Sequence, residues 1–191
     1  MAERGQSLTY NMCNPIGVFD SGVGGLTVLR ALRRRLPGER FLYVGDTARV
    51  PYGTKSPDAV LRFSREIVAF LERRRVKLVV VACNTASALA LPHLARDGGV
   101  PVIGVIEPGA RAAARASRRG RIGVIGTPAT IRSGAYGRAI RRHRPDARVY
   151  EQACPLFVPL VEEGWRDGAV VEAVARRYLA PLHRAWVDTV I

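Results

Sequence analysis

The sequence predicts an α/β fold made of two similar parallel-sheet halves with the active site in the cleft between them, and three observations support this prediction. Short apolar runs alternate with amphipathic stretches, as in βαβ units. These runs are nearly continuous in Val and Ile, which is typical of strands covered on both faces. Residues 16–21 and 122–127 repeat one pattern, in which an Ile-Gly-Val run leads into a polar turn and an amphipathic stretch.

The alternation of these runs assigns the elements in chain order. The predicted strands are residues 16–20, 40–45, 78–82, 102–105, 121–125 and 147–151. The predicted helices are residues 25–36, 57–75, 85–96, 107–118, 129–143 and 168–184. In the second helix Ser56 is a suitable N-cap and Pro57 suits the first turn. Pro92 lies inside the third helix and predicts an early end, a kink or a restart there.

The repeated pattern also divides the chain. We predict an N-terminal extension over residues 1–14, a first α/β domain over 15–105 and a second over 106–191, with the boundary near Pro101. In open α/β sheets ligands bind beyond the carboxyl ends of the strands. The site is therefore expected between the halves.

Charge distribution argues against a nucleic-acid partner. The chain has 30 Lys and Arg against 16 Asp and Glu, a formal net charge of +14. Its arginines are spread over predicted helix ends and outer faces rather than collected in one stripe with aromatic residues between them. This spread is typical of solvated helix faces, so no specific nucleic-acid binding is expected.

Apolar segments and cysteine spacing predict the cellular setting. No segment has the roughly 18 consecutive apolar residues of a membrane span, and the start of the chain lacks the apolar core of a secretory signal. We therefore expect a cytoplasmic protein with no membrane partner. Cys13, Cys83 and Cys154 are far apart in sequence and are expected to be free thiols. The three histidines lack the spacing of metal ligands, so no metal is expected.

Polar residues follow three strands of the first half, and the carboxyl ends of parallel strands meet at one edge of a sheet. These residues are Asp20 and Ser21 after the first strand, Asp46, Thr47, Pro51, Tyr52 and Gly53 after the second, and Cys83, Asn84 and Thr85 after the third. The glycine turn at 22–25 lacks the spacing of a dinucleotide site. It is compatible with a tight strand-to-helix connection, or with backbone N–H groups that hold a carboxylate.

Cys83 directly precedes a predicted helix. The positive end of a helix dipole lowers the pKa of a nearby thiol, which would make Cys83 a reactive base. The alternative is a buried, inert thiol, the commoner state of cysteine. Two hydrogen-bonding neighbours, Asn84 and Thr85, favour the reactive interpretation. Cys154 lies in an apolar context and is predicted to be structural.

Five segments together resemble the glutamate racemases of the aspartate/glutamate racemase family. They are PIGVFDSGVGGLTVL at 15–29, GDTARVPYG at 45–53, VACNTASA at 81–88, PVIGVIEPG at 101–109 and CPLFVPLVEEG at 154–164. The resemblance implies an isomerase that interconverts L- and D-glutamate for peptidoglycan synthesis without a cofactor. It implies glutamate as the small-molecule partner and admits a homodimer.

The resemblance also implies residue roles. Cys83 would be the thiol that serves the D-enantiomer, with Asp20 as an assisting carboxylate. The implied substrate-binding residues are Asp20, Ser21, Pro51, Tyr52, Gly53, Asn84, Thr85, Thr127 and Thr130. Ser133 matches a further turn position at the cleft.

One departure from the family pattern concerns the second thiol. Glutamate racemases carry it in a Gly-Cys-Thr-His segment after a strand that begins like residues 188–191, where this sequence stops. We therefore expect an incomplete second half that racemises glutamate poorly or not at all, and at most exchanges the α-proton of D-glutamate. The alternatives are a related aspartate or hydantoin racemase and a non-catalytic binding protein derived from the fold.

Overall fold

The computed structural model describes residues 13–191, so the predicted N-terminal extension falls almost entirely outside the described residues. The strands are β1 Ile16–Asp20, β2 Phe41–Gly45, β3 Leu78–Val81, β4 Val102–Gly104, β5 Arg121–Gly126, β6 Arg148–Ala153 and β7 Thr189–Val190. The helices are α1 Leu26–Arg35, α2 Pro57–Arg73, α3 Asn84–Leu89, α4 Leu91–Asp97, α5 Ile106–Ala116, α6 Pro128–Ser133, α7 Ala135–His143, α8 Phe157–Glu162 and α9 Ala169–Arg184.

The strands form two parallel sheets, which confirms the predicted pair of α/β halves. The first sheet has the order β2-β1-β3-β4, and the second has the order β6-β5-β7. In the first sheet Asp20 is paired with Gly45 and Phe19 with Val81. This register brings the ends of β1, β2 and β3 to one edge, where the polar residues after each strand meet.

Helices cover both faces of the first sheet. On one face Phe19, Val79 and Val81 belong to a buried cluster with Leu71 of α2. On the other face Val18 and Val80 pack with Leu29 of α1. Complete burial of one such side chain contributes about 1.5–3 kcal/mol, so these two layers fix the position of the sheet edge.

The second half has its own core. Ile122 and Val124 of β5 pack with Ile106 and Ile140 from helices α5 and α7. Val102 of β4 packs against the core of the first half, not against this second core. The division at 105/106 is compatible with these contacts and stays a prediction. None of the helices within residues 13–191 combines the length and hydropathy of a membrane span.

Two helix predictions need comment. The break at Pro92 is confirmed, because α3 ends at Leu89 and α4 restarts at Leu91 with the proline in its first turn. A single helix over 129–143 is wrong: Gly134 adopts φ +60° between α6 and α7. This left-handed conformation suits glycine and ends α6.

Candidate active site

A cavity of about 250 Å³ lies at the carboxyl ends of strands from both halves. Its lining residues are Asp20, Ser21, Gly24, Cys83, Asn84, Thr85, Thr127, Phe157, Val158, Val161 and Glu162. Pockets for drug-sized ligands occupy about 300–1,000 Å³, so this cavity suits a smaller polar molecule.

Asp20 is held by the glycine turn that follows β1. The backbone N–H groups of Gly22 and Gly25 donate to Asp20 Oδ2 at 3.1 and 3.0 Å. A Cβ atom on Gly25 would lie 2.5 Å from Asp20 Cβ, so the turn needs glycine there. Both N–H groups therefore bind the chain's own carboxylate, and they are not free to hold a ligand carboxylate.

The thiol of Cys83 lies in the wall of the cavity, 5% exposed. Its Sγ is 3.5 Å from Ser21 Oγ and accepts a hydrogen bond from the Ala86 backbone N–H at 3.4 Å. Burial raises the pKa of the Cys83 thiol above its ordinary value, and the negative charge of Asp20 raises it further. The hydrogen bond between Cys83 and Ser21 and the one from the Ala86 backbone N–H lower this pKa, each by less than burial or Asp20 raises it. The expected lowering of this pKa is therefore wrong for the free protein.

Three threonine hydroxyls connect the halves behind Cys83. Thr85 Oγ1 lies 2.9 Å from Thr127 Oγ1 and 3.2 Å from Thr130 Oγ1. The Thr127 and Thr130 hydroxyls are 3.0 Å apart, which closes a three-membered ring. Thr85 and Thr130 are buried, and Thr85 and Thr127 line the cavity.

A second contact between the halves involves Asn84. The hydroxyl of Tyr136 in α7 donates to Asn84 Oδ1 at 2.6 Å. Tyr136 is buried, and burial raises its pKa to about 12, so the phenol stays protonated and acts as a donor.

Negative charge collects at the mouth of the cavity. The carboxylate of Glu162 in α8 packs against Gly22: a Cβ added to Gly22 would lie 2.4 Å from Glu162 Oε1. Burial, together with the charges of Asp20, Cys83 and Glu162, raises the pKa of Tyr43 to about 12. Two carboxylates facing one small cavity favour a cationic group such as an ammonium.

The Asp/Glu/Hydantoin racemase family model matches residues 16–191. The chain belongs to this family. The glutamate racemase of Geobacter metallireducens is 60% identical over 176 residues, which are 92% of this chain and 65% of that protein. The glutamate racemase of Thermus thermophilus is 62% identical over 165 residues, or 86% of this chain and 61% of that protein. The chain thus spans less than two thirds of the length of these curated relatives.

Solved structures of family members share the fold. Glutamate racemase isoform RacE1 from Bacillus anthracis has a TM-score of 0.90 at 44% identity, covering 94% of this chain and 68% of that one. The enzyme of Francisella tularensis, solved in complex with D-glutamate, has a TM-score of 0.86 at 42% identity, covering 93% and 67%. The predicted resemblance to glutamate racemases is confirmed by these matches.

The structure brings most of the predicted site residues of this family member into one cavity. Those that line it are Asp20, Ser21, Cys83, Asn84, Thr85 and Thr127. Thr130 lies behind the wall in the hydroxyl ring. Ser133 accepts from the Ala135 backbone N–H at the break between α6 and α7.

The loop after β2 stands beside the cavity. Tyr52 is buried and donates through its hydroxyl to Asp46, which also accepts from Arg49 Nε at 2.7 Å. Pro51 follows a cis peptide bond, and a Cβ on Gly53 would lie 2.4 Å from Thr127 Cβ. A direct substrate contact for Pro51, Tyr52 and Gly53 stays a prediction.

Sequence reasoning missed the contribution of α8. Phe157, Val158, Val161 and Glu162 line the cavity from this helix, which the predicted elements do not include. The segment CPLFVPLVEEG carried the signal, because an apolar run that ends in two glutamates can form one face of a short amphipathic helix. Phe157 stacks edge-on against Tyr178 at 5.4 Å and so fixes α8 on α9.

Proposed function

We propose that these residues provide one proton-transfer half-site of a cofactor-independent glutamate racemase, in which the Cys83 thiol exchanges the α-proton of D-glutamate. The observation that carries this proposal is the placement of Cys83 beside Asp20, Ser21 and Asn84 in one small cavity. The names of the relatives support glutamate over the other substrates of the family. A structure at 42% identity was solved with D-glutamate bound.

The charges of the cavity support a defined substrate orientation. The substrate ammonium would lie near Asp20 and Glu162, whereas its carboxylates would face the donors of Ser21, Asn84 and Thr85. An ammonium next to Asp20 offsets the negative charge that raises the thiol pKa. Substrate binding would thereby increase the thiolate fraction of Cys83 at the moment when a base is needed.

The proton transfer is general base catalysis. The Cys83 thiolate takes the α-proton, and the electron pair of the broken C–H bond stays on Cα and spreads into the adjacent carboxylate. The new thiol proton exchanges with solvent and can return to the same face of Cα. Ser21 Oγ, 3.5 Å from Sγ, stabilises the thiolate between these two steps.

Inversion needs a proton donor on the opposite face of Cα. Among residues 13–191, Cys83 is the only cysteine or histidine in the cavity lining. Cys154 is buried and its thiol donates to the Gln152 carbonyl at 3.6 Å. We therefore expect these residues to exchange the α-proton of D-glutamate without inverting it.

The substrate class can be tested by calorimetry on Cys83→Ser, which keeps the shape of the cavity. D-glutamate is expected to bind at least about tenfold more tightly than D-aspartate or a hydantoin, because a longer dicarboxylate reaches more of the polar groups that line the cavity. The matched control is Cys13→Ser in the parent background, at an exposed cysteine outside the cavity lining, which should leave binding unchanged. Tighter binding of D-aspartate or of the hydantoin would contradict the substrate assignment.

The setting of the reaction belongs to the same proposal. In this proposal the reaction supplies D-glutamate for peptidoglycan synthesis and takes place in the cytoplasm. Cys83 and Cys154 form no disulfide within the described residues, which is compatible with a reducing compartment. A homodimer is retained as the proposed assembly.

A further inference from the structure

Within residues 13–191, Asn84 is the one cavity-lining residue with a side-chain amide, which can donate to a carboxylate through its NH₂ group, so its orientation matters for binding. The residue is exposed and follows the buried Cys83 at the start of α3. An unrestrained asparagine can turn either its oxygen or its NH₂ group toward the cavity. With the oxygen forward it would repel a carboxylate, whereas with the NH₂ group forward it would bind one.

Tyr136 decides this orientation from the opposite half of the molecule. Its hydroxyl donates to Asn84 Oδ1 at 2.6 Å, and that hydroxyl has no other acceptor among residues 13–191. If the amide were turned over, its NH₂ group would meet the phenol oxygen and the buried hydroxyl hydrogen would lose its acceptor. An unsatisfied buried donor is unfavourable, so the contact selects one amide orientation.

The position of Tyr136 is rigid. The ring is 6% exposed and belongs to the core of the second half, together with Ile122 and Ile140. A Cβ on Gly109 of α5 would lie 3.6 Å from the tyrosine hydroxyl, so α5 packs closely against the end of the ring. The hydroxyl is therefore held in place by packing within the second half.

We propose that Tyr136 is a positioning residue for substrate binding: its hydroxyl holds Asn84 Oδ1, so that the two Nδ2 hydrogens face the cavity and bind a substrate carboxylate. This inference rests on the proposed function for the identity of the ligand. In this proposal the second half orients a substrate-binding residue of the first half. Tyr136 does not line the cavity and acts only through Asn84.

A double-mutant cycle tests the coupling between the two residues. The dissociation constant for D-glutamate is measured by calorimetry for the parent chain, Tyr136→Phe, Asn84→Ala and the double variant. Tyr136→Phe is expected to weaken binding about 3- to 10-fold, as for loss of one neutral hydrogen bond. In the Asn84→Ala background the same change should alter the constant by less than about twofold, because no amide remains to be oriented.

Tyr150→Phe is the matched control. Tyr150 is a half-buried tyrosine of β6 whose hydroxyl makes no hydrogen bond within the described part of the chain, so its variant should bind D-glutamate as the parent does. Unfolding midpoints are recorded for every variant. An unchanged constant in Tyr136→Phe overturns the proposal, as does an equal loss in both backgrounds, which would indicate a general packing effect.

A measurement without ligand separates this inference from the proposed function. In the parent the two Nδ2–H resonances of Asn84 should be sharp and distinct by NMR, and Tyr136→Phe should shift and broaden them. Unmoved resonances overturn the positioning role. If the parent binds no D-glutamate, the proposed function and the carboxylate role of Asn84 fail, and the resonances still decide whether Tyr136 fixes the amide.

Discussion

At Cys83, two opposing effects act on a single thiol. The sequence correctly places this cysteine before a helix, and the N-cap hydrogen bond from Ala86 is present. However, α3 has only six residues, so its dipole is short, whereas burial and the nearby Asp20 both favour the neutral thiol. Burial depends on the packing around the strand end, which position in the sequence does not reveal.

The charge of Asp20 can be tested by its effect on thiol reactivity. Asp20→Asn removes the negative charge but keeps an oxygen that accepts from Gly22 and Gly25. The pKa of Cys83 should therefore fall, and alkylation of Cys83 by iodoacetamide at pH 8 should become about 3- to 10-fold faster, because each pKa unit changes the thiolate fraction about tenfold. Mass spectrometry of the Cys83 peptide gives the rate.

The pH dependence of the same alkylation reaction shows in which direction the pKa of Cys83 is shifted. In the parent, the midpoint of the pH–rate profile for alkylation of Cys83 should lie above pH 9.0, the ordinary value for a thiol, because a raised pKa moves formation of the thiolate to higher pH. Asp146→Asn, at an exposed carboxylate in the second half, serves as control and should leave the rate unchanged. Slower alkylation of Asp20→Asn would show that Asp20 activates the free thiol instead of suppressing it.

At the scale of elements, the strands were predictable and two helical regions were not. Runs rich in Val and Ile identified β1, β3 and β5 to within a few residues, since buried parallel strands tolerate little else. Strands β2 and β6 are only partly buried and were identified from their place in the alternation of strands and helices. The break at Gly134 was missed because Ile131 and Ala135, four residues apart, continue the helical spacing of apolar residues across it. Helix α8 was missed because it has only six residues and contains Pro159, which disfavours a helix in isolation.

The turn between β1 and α1 carries an element-scale prediction. In Gly25→Ala the new methyl group would lie 2.5 Å from Asp20 Cβ and 3.0 Å from Ala82 Cβ, both on rigid strand ends. The Asp20 carboxylate must move, so D-glutamate binding should weaken by at least about tenfold, while the free energy of unfolding falls by about 1–3 kcal/mol. Calorimetry and urea denaturation measure the two effects.

Gly38→Ala provides the comparison for that variant. No heavy atom lies within 4 Å of its added Cβ, so neither binding nor stability should be lost. If Gly25→Ala bound D-glutamate like the parent, the position of the Asp20 carboxylate would not matter for binding, contrary to the proposed substrate orientation.

At the scale of the whole molecule, the site exists only where the two halves meet. The internal repeat predicted the halves, and the strand-end rule predicted the cleft between them. The contacts that join the halves could not be predicted, because the Thr85, Thr127 and Thr130 ring and the Tyr136 contact to Asn84 connect residues 42 to 52 positions apart. These contacts between the halves depend on how the two hydrophobic cores pack against each other, and local sequence patterns do not predict that packing.

The arrangement of the halves also limits the chemistry. Both halves provide hydroxyls and carboxylates to the cavity, but within the described residues only the first half provides a thiol. Under the proposed function, these residues would remove a proton from one face of Cα and return it to that face. The proposed function therefore predicts that these residues exchange the α-proton without inverting Cα.

Deuterium incorporation at Cα of D-glutamate in D₂O, followed by NMR together with chiral analysis of the product, tests the central claim most directly. The parent and the Cys154→Ser control should incorporate deuterium while the product stays D-glutamate, and Cys83→Ser should be at least about 100-fold slower, the lower range of general base catalysis. Exchange by Cys83→Ser at the parent rate, or none by the parent, would contradict the role of Cys83. Rapid conversion of D- to L-glutamate would contradict its one-sided action.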